Sequence, residues 1–93
     1  NIIDLNNVDK YFDKVIDTII YVDRIKEITT KSNSKMAFIT GSDEISTIDL
    51  TMFPKILEEY PNIKDGDILL IKGKVEKRYD KYQIIVKKIE KLK

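Results

Sequence analysis

The segment Lys35-Met36-Ala37-Phe38-Ile39-Thr40 sets a ring apart from the apolar residues around it. Period-2 alternation places Ala37 and Ile39 on one face of a strand and Met36, Phe38 and Thr40 on the other. A core takes the first pair and has no need of an aromatic on the opposite side. Phe38 held outward offers a stacking surface for a flat π system, and Met36 beside it either widens that platform or fills a gap. Lys31, Lys35, Lys74, Lys77, Arg78 and Lys81 are the cations able to flank such a surface and neutralise phosphates, and Tyr79 lies among the last of them. The competing readings are a ring covered by a neighbouring helix or domain, and lysines that are solvated charge. For each lysine alone solvation is the stronger reading, and for the set it is the weaker. Tyr82 reads better as core.

Composition excludes much else. The 93 residues, 42% hydrophobic and 35% charged, suit one small globular domain with a single core. Cysteine and histidine are both absent, which removes disulfides, thiolate nucleophiles, the usual general base and the commonest metal ligands. A self-contained active site is therefore not expected, and no cofactor. No apolar run approaches the roughly 20 residues of a membrane span, and no signal-peptide pattern opens the chain, so a cytoplasmic location is expected. A start at Asn1 suggests a piece of something longer.

The net charge of +1 conceals an asymmetry. Residues 72–93 hold nine basic and three acidic side chains, +6; the rest hold eight and thirteen, −5. Contact with a polyanion fits this distribution, as does a lysine-rich edge that resists aggregation.

The elements that must position these residues follow from pattern and punctuation. Val8, Tyr11, Phe12 and Val15 recur at helical spacing behind Asn7, so residues 1–15 are expected to form a short N-terminal helix or linker, and 16–93 the domain proper. β-Branched and aromatic residues predict a long strand from about Asp17 to Thr30. A turn at 30–35 follows, in which Asn33 can take positive φ. The second strand runs from Lys35 to Thr40, and a third holds Ile48, Leu50 and Met52 inward with Thr47, Asp49 and Thr51 outward. Pro54 starts a helix to Tyr60, Asp65-Gly66 turns the chain, and strands are expected at 67–77, with Gly73 as a bulge, and 82–92. The order β-β-β-α-β-β is that of a five-stranded Greek-key OB-fold barrel, an all-β class whose ligands lie across the second and third strands between two loops, here 29–35 and 77–81.

Three segments then resemble one family. Thr30-Lys31-x-Asn33-x-Lys35-Met36-Ala37-Phe38-Ile39-Thr40-x-x-Asp43, Ile48-Asp49-Leu50-Thr51-Met52-Phe53-Pro54 and Gly66-Asp67-Ile68-Leu69-Leu70-Ile71-Lys72-Gly73-Lys74-Val75-Glu76 are similar to the OB module near the C-terminal end of the bacterial DNA polymerase III alpha subunit. The resemblance runs from about Asp17 to Leu92. It departs at three family glycines, occupied here by Ile20, Asn33 and Ser46; Asn33 suits the same turn, whereas the bend at Ile20 must be made otherwise. It implies an accessory, non-catalytic module that binds single-stranded DNA within a polymerase whose active site lies in other domains. Stacking and phosphate contacts would make it largely sequence-tolerant. Two other readings stand beside it. One is docking to other polymerase domains or replisome proteins. The other is tRNA anticodon binding as in class II aminoacyl-tRNA synthetases, against which Gly41-Ser42-Asp43 lacks the usual Leu-Arg-Asp ending. Asp65 and Asp67 read as turn residues rather than metal ligands, and Asp49 as a base-edge acceptor or a partner for a lysine.

Overall fold

The computed structural model describes residues 1–92. Five strands, β1 (Val15–Thr29), β2 (Lys35–Ser42), β3 (Thr47–Met52), β4 (Ile68–Arg78) and β5 (Lys81–Lys91), close into a barrel in the order β1-β2-β3-β5-β4. One helix, α1 (Pro54–Glu59), lies between β3 and β4 with Pro54 at its start. The expected architecture is the observed one, with strand ends moved by one or two residues. All neighbours are antiparallel except β3 and β5, whose parallel pairing closes the barrel.

Alternation accounts for the core. Ile20, Val22, Ala37, Ile39, Leu50, Met52, Leu69, Ile71, Val75, Ile84 and Val86 are almost wholly buried, one strand face turned inward around the ring. Thr51, expected outward, lies on the outer face yet is only 5% exposed, since its ladder partners Phe38 and Ile85 crowd it from both sides.

The bend of β1 has a definite origin. β1 pairs with β4 through residues 15–21 and with β2 through 21–29, and the register slips between Val22 and Arg24. Asp23 is the extra residue of a bulge that turns the strand from one neighbour to the next. Ile20, standing where the family has glycine, is accommodated from across the sheet: a Cβ on Gly41 would lie 2.7 Å from its Cδ1. Near Gly73 a second register slip occurs, but the additional residue is Lys87 on β5, opposite the glycine.

The expected short N-terminal helix is present, with 3₁₀ winding. Leu5–Tyr11 form a 3₁₀ helix preceded by Asp4, not Asn7. Leu5 and Val8 enter the core, while Phe12 is exposed and Val15 already belongs to β1. The tighter 3₁₀ winding rotates Phe12 out of the stripe that a 3.6-residue period assigns to it. Its ring instead meets Tyr82 edge-on, with centroids 6.4 Å apart.

Turn chemistry fits the remaining connections. Asn33 and Gly66 take φ values of 66° and 92°. Asp65 accepts the Ile25 N–H at 2.9 Å and Asp67 accepts the Lys64 N–H at 2.8 Å, so both carboxylates serve the backbone.

Asp43, the last residue of the resembling β2 segment, ties the N-terminal 3₁₀ helix to the β2–β3 turn. Its carboxylate accepts N–H groups from Leu5, Ile45 and Ser46, each at 2.9 Å. Partial burial alone would raise its pKa, but these donors override it and hold the carboxyl below the ordinary value. A depressed folded-state pKa contributes stability above the unfolded pKa of about 4, lost as pH falls through the folded value. Asp43→Asn should therefore cost about 2 kcal/mol at pH 7, because an amide NH₂ must face an N–H donor. It should also flatten the acid limb of stability, read as thermal midpoints at pH 7 and pH 3. Equal losses at both pH values would show that the carboxylate charge is immaterial.

Candidate nucleic-acid interface

A groove crosses the outer face of β2, β3 and β5 and is roofed at one end by the β4–β5 hairpin. Arg24, Phe38, Thr40, Asp49, Thr51, Arg78, Tyr79, Lys81, Tyr82 and Gln83 line it, around about 320 Å³. The ladder register explains this gathering. Residues directly opposite in adjacent strands share a face, so Lys26, Phe38 and Thr51 form one outward row. Arg24, Thr40, Asp49 and Gln83 form the next. Arg78 and Lys81 pair at the end of the hairpin.

Phe38 is 37% exposed at the centre of this surface, open to solvent on one side and supported by Thr51 on the other. Met36 follows it along the same face of β2, half-buried beside Ile28. Tyr79 is 90% exposed at the tip of the hairpin, with φ 57°. That is the first central position of a two-residue turn, where glycine is favoured and a bulky side chain costs backbone energy. A ring held at strain in solvent has no packing reason to be there.

Among the six expected cations the structure separates two groups. Arg78 and Lys81 stand in the groove, and Lys31 stands exposed on the β1–β2 turn beyond Met36. Lys35, Lys74 and Lys77 point elsewhere. Lys35 shares the face of Ala37 and Ile39 and lies at the barrel end near Glu27 and Glu58. Lys74 is held by Asp13 at 3.1 Å, with Glu76 at 4.0 Å; the hydrogen bond and charge of Asp13 raise its pKa. Lys77 lies 5.4 Å from the ring centre of Tyr82, which packs on the core.

Arg24 and Lys26 take the places these leave. Lys26 is the direct cross-strand partner of Phe38, Arg24 of Thr40. Among the described residues neither they nor Arg78 and Lys81 join an ion pair. A signal for them exists in the sequence: buried positions run Ile16, Thr18, Ile20, Val22 and then Ile25, half-buried. The change from even to odd marks the bulge, and beyond it Arg24 and Lys26 must face outward.

Flanking cations, exposed rings and a solvated carboxylate can neutralise phosphates, stack on bases and accept hydrogen bonds from base edges.

A family model described as an OB-fold nucleic acid binding domain matches residues 20–92. The chain is 33% identical over 75 residues to DNA polymerase III subunit alpha of Staphylococcus aureus, covering 80% of the chain and 7% of that protein. It is 36% identical over 74 residues to DNA polymerase III subunit alpha of Bacillus subtilis, covering 78% and 7%. The chain thus spans about 7% of the length of these curated relatives. The solution structure of the second OB-fold domain of replication protein A from Methanococcus maripaludis superposes with a TM-score of 0.53 at 20% identity, over 89% of this chain and 86% of that one. That likeness concerns the fold. No helix among the described residues is long and apolar enough to cross a membrane.

Proposed function

Because the chain belongs to the OB-fold nucleic acid binding domain family, we propose that it is an accessory single-stranded-DNA-binding module of a cytoplasmic bacterial replicative polymerase. Similarity to DNA polymerase III subunit alpha supports DNA as the ligand and a parent enzyme whose chemistry lies in other domains. The observation that carries the reading is the exposed Phe38 ring bordered by Arg24, Lys26, Arg78 and Lys81. Bases stack on Phe38 and Tyr79 while the four cations, with Lys31 at the margin, hold phosphates. The module positions a template strand and adds to processivity without reading most of its sequence.

Oligo-dT titrated by fluorescence anisotropy tests this. Single strands lose affinity with a slope of about −0.7 per neutralised phosphate. Three to four contacts give slopes near −2 to −3, so binding should fall roughly twenty- to fiftyfold between about 50 and 200 mM salt. Salt-independent binding, or none at low salt, removes the proposal. Preference for tRNA over oligo-dT in direct competition would move the module to anticodon recognition.

A second role rests on another surface. Ile2, Ile19, Tyr21, Ile45 and Ile68, all more than a third exposed, border one groove of about 580 Å³ together with Asp4, Asp43 and Glu44. An apolar patch of this kind marks an interface. Its acidic rim would oppose a second copy and suits a neighbouring polymerase domain presenting an apolar ridge flanked by lysine or arginine. Ile19→Lys with Ile45→Lys should leave oligo binding and the thermal midpoint of the isolated chain nearly unchanged. The pair should abolish sedimentation with the adjoining polymerase domain supplied in trans. Unaltered co-sedimentation, or a dimer of the wild-type chain, would refute that occupant.

A further inference from the structure

Asp49 is an oddity on this surface. Its side chain points outward from β3 into the groove that Phe38 centres, among cations placed for phosphate. There it repels the backbone of any nucleic acid. Among the described residues its side chain joins no ion pair and no hydrogen bond. A carboxylate only accepts, so its favourable partner on a bound strand is a donor on a base edge.

Register fixes which base it meets. Thr51 lies directly opposite Phe38, and Asp49 is two residues from Thr51 on the same face. It is therefore the diagonal neighbour of the ring, about 7–8 Å away, within reach of the edge of a base stacked there. Gln83 is its ladder partner on β5 and lines the same groove. Side by side, the two present a pair of carboxylate acceptors next to an amide that can donate.

We propose, resting on the single-stranded-DNA reading above, that Asp49 and Gln83 make the Phe38 subsite prefer guanine. Guanine offers two adjacent donors, N1–H and N2–H₂, with the O6 acceptor beside them. The two Asp49 oxygens match the donors and the Gln83 amide matches O6. Cytosine and adenine present one amino donor beside a ring-nitrogen acceptor, and the thymine N3–H sits between two carbonyl oxygens that oppose a carboxylate. The subsite thus adds one discriminating position to an otherwise tolerant surface.

The test uses thymidine oligonucleotides carrying one central dG, inosine, dA or dC, or no substitution, titrated at fixed low salt. At this open site a bidentate pair is expected to give a fivefold to tenfold gain for dG over all-thymidine. Inosine, which lacks only the N2 amino group, should lose most of the gain without any change to the protein. Asp49→Thr, suited to an exposed strand position, should erase the ranking and tighten all-thymidine binding two- to threefold by removing a negative charge. Equal binding of dG and inosine, a preference for thymine, or a ranking unchanged in Asp49→Thr would overturn the guanine subsite. Salt-dependent binding sensitive to Phe38 would in that case leave the DNA reading in place. No binding of any oligonucleotide would take both down.

Discussion

Phe38→Ala is expected to weaken oligo-dT binding by about 2 kcal/mol, roughly thirtyfold, while leaving the fold intact. Base–aromatic stacking is worth about 1–3 kcal/mol per base by truncation, and Phe38 is the ring at the centre of the groove, with Lys26 and Thr51 as its ladder partners. At 37% exposure it contributes less to the core than a buried residue such as Leu50, so the thermal midpoint should move by only a few degrees. The loss should appear equally at low and moderate salt, since stacking releases no counterions. Affinity unchanged by the substitution would leave only a charged surface, which is no platform. A matching fall in stability and affinity would mean that the ring is structural.

Gly73→Ala should destabilise the chain by about 3 kcal/mol, lowering the midpoint by roughly 15 °C. A Cβ there would stand 2.4 Å from Ile84 Cγ2 and 2.7 Å from the Ile85 carbonyl oxygen. The methyl could swing aside, but the carbonyl belongs to the β5 backbone that pairs with β3 and carries Lys81 and Gln83 into the groove. Relief would therefore require β5 to move, opening the barrel seam and the binding surface together. Gly66→Ala is the control. At φ 92° it is strained by conformation, yet its nearest contact is Tyr21 Oη at 3.9 Å, and a cost of about 1–2 kcal/mol is expected. If the two glycines prove equally costly, close approach at Gly73 is not the governing effect.

Much of the fold is legible in single segments. Ala37 and Ile39 inward with Phe38 outward, Pro54 starting α1, and Asn33 and Gly66 at positive φ all follow from rules that act over two to four residues. The short N-terminal helix was legible too, though not where it ends. Val8, Tyr11, Phe12 and Val15 have helical spacing, but Val15 is claimed by pairing with Lys74 in β4. Strand pairing outweighed the local pattern.

Chain chemistry alone established an outward ring, an uneven charge and the absence of thiol and imidazole chemistry, because composition and alternation are properties of neighbours in sequence. Tertiary structure chose which charges meet that ring. A lysine in water satisfies either face of a strand equally well, so its own residue type does not set Lys26 beside Phe38 or Lys74 against Asp13; strand pairing does. The parallel closure that sets Asp49 beside Gln83 is decided by contacts far apart along the chain. Those contacts exist only once the barrel has closed.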